Sequence, residues 1–120
     1  MDLIVGGAYQ GKLDYAKNEL GVTEEDVFCC TVSSEIDVTK RCYNHFEKFI
    51  LGCIKEGSDK YKKLDLTDKI VISDDIFCGV VPIDDTERFW REETGRTLCD
   101  FSARSDSVTR LFCGIPRKLK

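Results

Sequence analysis

The chain reads as an α/β fold with a small, mainly parallel sheet, and three observations lead there. Short apolar runs of strand character alternate with segments whose apolar residues recur every three or four positions. No repeat, linker or low-complexity stretch interrupts that alternation, so residues 1–120 read as a single domain. A glycine-rich turn follows directly on the first apolar run and opens a helical segment.

The elements follow in order. Leu3-Ile4-Val5 makes a first strand, and a short helix through Tyr15, Ala16 and Leu20 stops at Gly21. The unbroken apolar run Val27-Phe28-Cys29-Cys30-Thr31-Val32 suits a strand covered on both faces. Val38, Cys42, Phe46, Phe49, Ile50, Cys53 and Ile54 fall on one stripe of a longer helix closed by Gly57. Lys69-Ile70-Val71-Ile72-Ser73 forms the next strand. Asp84 starts a helix with Glu87 placed for a capping box, and Phe89, Trp90, Leu98 and Phe101 form its buried side. Ser107–Phe112 is the last strand, so the count is four strands and three helices. The basic residues Arg110, Arg117, Lys118 and Lys120 read as a solvated tail.

With 42% hydrophobic and 33% charged residues and 2 prolines, the composition is that of an ordinary globular domain. A net charge of -4 speaks against nucleic acid as the main partner, and no apolar run approaches the ~18 residues of a membrane span. The 7 cysteines include no Cys-x-x-Cys pair and no histidine cluster, so zinc-site spacing is absent. They read as reduced thiols used as small buried hydrophobes in a cytoplasmic protein. Cys29 and Cys30 have no neighbour in sequence that would activate them.

The chemistry concentrates in the turn Gly6-Gly7-Ala8-Tyr9-Gln10-Gly11-Lys12-Leu13. Glycine, four residues, glycine and lysine is the spacing of a phosphate-binding loop. Its backbone curls around an anion, the lysine adds a positive charge, and the next helix presents its N-terminal dipole. The residue after the lysine normally carries a hydroxyl for magnesium; Leu13 cannot supply one. The expected architecture is therefore a three-layer fold of the P-loop NTPase kind. Asp74 and Asp75 follow a strand, at the sheet edge where ligands collect, and either could hold Mg2+ through water. Two aspartates can equally end a strand and start a turn. Cys78-Gly79-Val80-Val81-Pro82 is apolar enough to line a pocket or a subunit contact. His45 is the single histidine, placed at the edge of the second helical stripe as a candidate nucleophile or base or as a structural residue.

These segments resemble a known family, the bifunctional adenosylcobinamide kinase and adenosylcobinamide-phosphate guanylyltransferase of cobalamin biosynthesis. The family's opening Gly-Gly-x-x-Ser-Gly-Lys-Ser is similar to Gly6–Leu13 here, and its Val-Gly-x-Gly-Ile-Val-Pro to the stretch ending Cys78-Gly79-Val80-Val81-Pro82. Its helix Arg-x-Phe-Arg-Asp-x-x-Gly-Arg resembles Glu87–Arg96. Its closing motifs resemble Asp106-Ser107-Val108, Gly114-Ile115-Pro116 and Leu119-Lys120. The resemblance covers roughly the first 15 and last 50 residues. It implies a cytoplasmic transferase binding ATP or GTP with Mg2+, acting on a cobinamide-like alcohol and assembling as a homo-oligomer. Lys12 would lie on the β/γ-phosphates, Asp75 near the metal, and His45 at the family's guanylylated histidine. Departures stand against an active enzyme: Leu13, His45 one position late, the absence of the family's Trp-x-Thr-x-Glu and Asp-Cys-Leu-Thr segments, and Leu98-Cys99 where the family has Asn-Gln. The alternative is a catalytically silent binding or regulatory module on the same scaffold.

Overall fold

The computed structural model describes residues 1–76 and 84–120. The candidate pocket loop Cys78–Pro82 lies outside them. Among the described residues the chain builds one six-stranded sheet in the order β2-β3-β4-β1-β5-β6. The strands are β1 (Asp2–Gly6), β2 (Val27–Cys29), β3 (Cys42–Asn44), β4 (Ile70–Asp74), β5 (Ser107–Phe112) and β6 (Ile115–Lys118). Every pairing is parallel except the β5–β6 hairpin. Four α-helices among the described residues accompany the sheet: α1 (Lys12–Glu19), α2 (Phe46–Lys55), α3 (Lys60–Lys63) and α4 (Asp85–Arg104).

Strand alternation explains how both faces are covered. Leu3 pairs with Val71 and Val108, and all three face the cluster holding Phe46, Phe49, Ile50, Leu98 and Phe101 of α2 and α4. One residue on, Ile4 and Ile72 turn to the opposite face, joining Leu111 and Ala16 of α1. Phe46 ties the larger cluster together, its ring 5.3 Å from that of Phe49 and 5.5 Å from that of Phe101. Helices therefore lie on both faces of a parallel sheet, in agreement with the α/β class expected from the alternation.

Several expectations are corrected. The stripe from Val38 to Ile54 is not one helix: Cys42-Tyr43-Asn44 is a fully buried strand, and α2 begins at Phe46. Tyr43 pairs with Phe28 on one side and Val71 on the other, so sheet hydrogen bonding outweighs a helical period that Val38 and Cys42 merely happen to satisfy. His45 then turns left-handed (φ 58°) and separates strand from helix. The run from Val27 to Val32 is a short outer strand rather than a doubly covered one, with Cys29, Thr31 and Val32 exposed. The basic end is not a tail, since Ile115–Lys118 pairs with β5 through a turn in which Cys113 (φ 50°) and Gly114 (φ 77°) are both left-handed. Phe89 is 47% exposed, whereas Leu98 and Phe101 are buried as expected. Asp84 caps α4, accepting hydrogen bonds from the amides of Thr86 (2.7 Å) and Glu87 (3.4 Å).

The cysteines divide. Cys30, Cys42 and Cys53 are buried, and burial pushes the Cys30 and Cys42 thiols up to about 12; Cys29, Cys99 and Cys113 are exposed. Among the described residues no helix is long and apolar enough to cross a membrane.

Gly6, where β1 gives way to the turn, has no room for a side chain. A Cβ there would stand 2.5 Å from the Leu111 carbonyl oxygen. At Gly7 a Cβ would meet only the Gln10 side chain, at an ordinary 3.6 Å. Gly6→Ala is expected to lower unfolding free energy by about 1–3 kcal/mol through forced separation of β1 and β5. Gly7→Ala should change it by less than about 0.5 kcal/mol. Urea denaturation of both variants checks the contrast.

Candidate functional site

The chain leaves neighbouring strands in opposite directions. The helix after β1, α1, packs on one face of the sheet, and α4, the next helix after β4, packs on the other. In an open parallel sheet such a divergence leaves a crevice beyond the carboxyl ends of the strands. Register places Gly6 directly beside Asp74, so the glycine turn and the end of β4 meet there. The end of β3 brings Asn44 and His45 to the same place. The result is a cleft of about 530 Å3 lined by Ala8–Asp14, Asn44, His45, Lys48 and Asp74.

The turn between Gly6 and Lys12 is curled by two left-handed residues, Tyr9 (φ 59°) and Gly11 (φ 86°). It is held from outside by the β5–β6 hairpin. The Gly114 amide donates to the Gln10 carbonyl at 3.0 Å, and the Cys113 amide donates to Gln10 Oε1. Tyr9 is fully exposed at the rim. α1 starts at Lys12 with an acidic residue, Asp14, in its first turn and no side chain capping it. Its first amides and the positive end of its dipole therefore face the cleft. Leu13 packs against the Ile4–Ala16 cluster, so an apolar, core-directed side chain stands where a hydroxyl was looked for.

Lys12 is 6% exposed, and its ammonium is held at two points. It donates to the Gly7 carbonyl at 2.6 Å and lies 2.7 Å from Asp74 Oδ1. A buried cation is tolerable only when paired in this manner. Asp74 Oδ2 lies 3.7 Å from His45 Nδ1, which is also 3.3 Å from Glu47 Oε1. Glu47 is 3% exposed; its Oε2 accepts from the Asp74 amide at 3.1 Å, and its carbonyl from the Trp90 indole at 2.8 Å. Burial, opposed by the Asp74 amide and reinforced by the Asp74 charge, holds the Glu47 carboxyl above its ordinary range.

The structure thus brings Lys12, Asp74 and His45 together, along with the turn from Ala8 to Leu13. It does not bring Asp75 with them. The Asp75 amide donates to the Gly6 carbonyl at 2.7 Å, and its carboxylate sits 3.8 Å from Arg110 of β5, outside the cleft lining. Asp75 lies one residue past the end of β4 with its carboxylate towards Arg110, so of the two aspartates only Asp74 lines the cleft. Glu47, Asn44 and Lys48 were not anticipated. Glu47 stands two residues after a histidine, and Asn44-His45 is a pair tolerant of left-handed backbone, a signal that the strand-to-helix break falls there.

No protein-family model matches the chain, and a search of curated proteins returns no match.

Glu47 generates a pH prediction. Its folded-state pKa lies above the ordinary 4.5, so the fold favours its protonated form. The associated stability is complete below the unfolded pKa and is lost as pH rises through the folded value. Glu47→Gln, which keeps an acceptor for the Asp74 amide, removes that loss. Relative to the variant, the wild-type protein should become less stable from pH 4.5 upwards, in denaturant melts recorded across pH 4–8.

Proposed function

We propose that this chain binds the phosphates of a purine nucleotide, ATP or GTP, in the cleft between the Gly6–Leu13 turn and Asp74. The observation that carries the reading is Lys12. A buried ammonium sits at the uncapped start of a helix, directly below a curled glycine turn, within an open cleft. Its present partners, the Gly7 carbonyl and Asp74, are ones a phosphate could replace, since an anion offers the same cation more charge. An α/β sheet with this crevice is compatible with the P-loop NTPase architecture. The resemblance of the turn and the C-terminal segments to adenosylcobinamide kinase/guanylyltransferase supports a place in cobalamin biosynthesis, with a cobinamide-like alcohol as acceptor and assembly as a homo-oligomer.

Binding is favoured over transfer. Phosphoryl transfer depends on positioning and on neutralising charge at the transferred group. A magnesium ion accompanying a nucleotide would find Asp74 as an oxygen donor but no hydroxyl at position 13, and Asp75 faces Arg110. The residues present therefore make a poor magnesium site, and the chain acts as a nucleotide-binding module with impaired transfer chemistry. His45 favours a second reading in which transfer persists. It stands in the cleft next to Asp74, where a nucleophile or base would be useful.

Calorimetry with ATP and GTP, each with magnesium and with a chelator, tests the proposal. Affinity should change less than about threefold when magnesium is removed. Lys12→Met, which keeps the aliphatic stem, should weaken binding at least tenfold, about 1.4 kcal/mol. An unchanged affinity in a folded Lys12→Met protein rejects the site. Magnesium-dependent phosphate release in Leu13→Ser but not in the wild-type chain identifies the leucine as the cause of impaired transfer.

A further inference from the structure

We propose that His45, Glu47 and Asp74 form a binding site for a divalent first-row transition-metal ion of the Mn2+ class, one that does not depend on a hydroxyl at position 13. The site shares Asp74 and His45 with the cleft proposed for the nucleotide, but none of its three ligands belongs to the glycine turn, so it can be probed without nucleotide. A ring nitrogen of His45, a Glu47 oxygen and an Asp74 oxygen all lie within 4.8 Å of one another. A first-row ion holds nitrogen and oxygen donors at about 2.0–2.2 Å, which sets neighbouring donors about 2.8–3.6 Å apart at octahedral to tetrahedral angles. The separations from His45 Nδ1 are 3.3 Å to Glu47 and 3.7 Å to Asp74, so both histidine–carboxylate distances lie within a few tenths of an ångström of that span.

The remaining oxygens are already engaged, each in a way that would orient a ligand. Glu47 Oε2 takes the Asp74 amide, which leaves Oε1 turned to His45. Asp74 Oδ1 faces the Lys12 ammonium, which leaves Oδ2 turned to His45. Metal-ligating carboxylates are commonly held by outer hydrogen bonds of this kind. Two carboxylates packed beside one histidine, with Glu47 almost wholly buried, also place like charges together at a cost that a dication would offset. The donor set selects the ion. Magnesium prefers an all-oxygen octahedron and keeps most of its waters, whereas an imidazole nitrogen beside two carboxylates suits a transition ion. A competing account has His45 contacting the two carboxylates without any metal, and the experiment separates the two.

The test is a Mn2+ titration of the nucleotide-free full chain, followed by electron paramagnetic resonance against a background of excess Mg2+. One Mn2+ per chain should bind, with a coupling from imidazole nitrogen in the pulsed spectrum. His45→Asn retains a residue tolerant of the left-handed backbone, so the fold should persist by circular dichroism. That variant should weaken Mn2+ at least tenfold and abolish the nitrogen coupling, whereas Asp75→Asn should alter neither. Absence of Mn2+ binding in the wild-type chain, bound Mn2+ without nitrogen coupling, unaltered affinity in His45→Asn, or displacement by Mg2+ at comparable concentration would each overturn the assignment. So would loss of binding in Asp75→Asn, which would move the ion to the paired aspartates. Since no nucleotide is present, failure here leaves the calorimetric result on Lys12 unaffected.

Discussion

The parallel pairing of β1 with β4, in the register that sets Gly6 beside Asp74, is the constraint on which the cleft depends. The turn from Gly6 to Lys12 is local, but the carboxylate that neutralises Lys12 comes from more than sixty residues away. A slip of one residue would turn every side chain of β4 to the other face, moving Ile72 out of the α1 cluster and carrying Asp74 away from the ammonium. Core packing and site chemistry therefore select the same register. Leu3, Val71 and Val108 on one face and Ile4, Ile72 and Leu111 on the other hold it by burial alone, before any polar contact is counted.

The glycine turn is braced from two directions. Below, Gly6 lies so close to β5 that a methyl group would collide with the Leu111 carbonyl. Above, the Gln10 side-chain oxygen accepts from the Cys113 amide and its main-chain carbonyl accepts from the Gly114 amide, so the tip of the β5–β6 hairpin grips the turn. These contacts hold the turn in its curled form without a bound anion, and such preorganisation lowers the ordering cost of a ligand. The hairpin residues Phe112 and Ile115 are exposed, so the last strand stabilises the turn more than it extends the core.

The segment from residue 38 to 54 shows where local reasoning misleads. Val38, Cys42, Phe46, Phe49, Ile50 and Cys53 do fall on helical spacing, and from Phe46 onwards they are helical. Cys42 through Asn44 are claimed instead by neighbouring strands on both sides, a preference no window of sequence contains. The left-handed His45 is the consequence: the chain must stop being a strand and start being a helix within one residue. That abrupt change delivers His45 to the cleft and sets Glu47 beneath it, side by side with Asp74. The basic end was misread for a similar reason. Arg117 and Lys118 belong to a strand because Cys113-Gly114 turns the chain back on β5, and charge composition is silent about that return.

The glycine turn that opens α1, the strands β1, β4 and β5, the Asp84-capped helix and the glycine stops at Gly21 and Gly57 were all readable from residue order. Each is decided by neighbours a few positions apart, through periodicity, capping chemistry and tolerance of positive φ. Which aspartate faces the cleft, that Glu47 is buried there, and that His45 touches both carboxylates belonged to the assembled sheet. Those facts follow from strand order and register, which are settled by burial between residues far apart in the chain. Local chemistry names the candidates; long-range packing chooses among them.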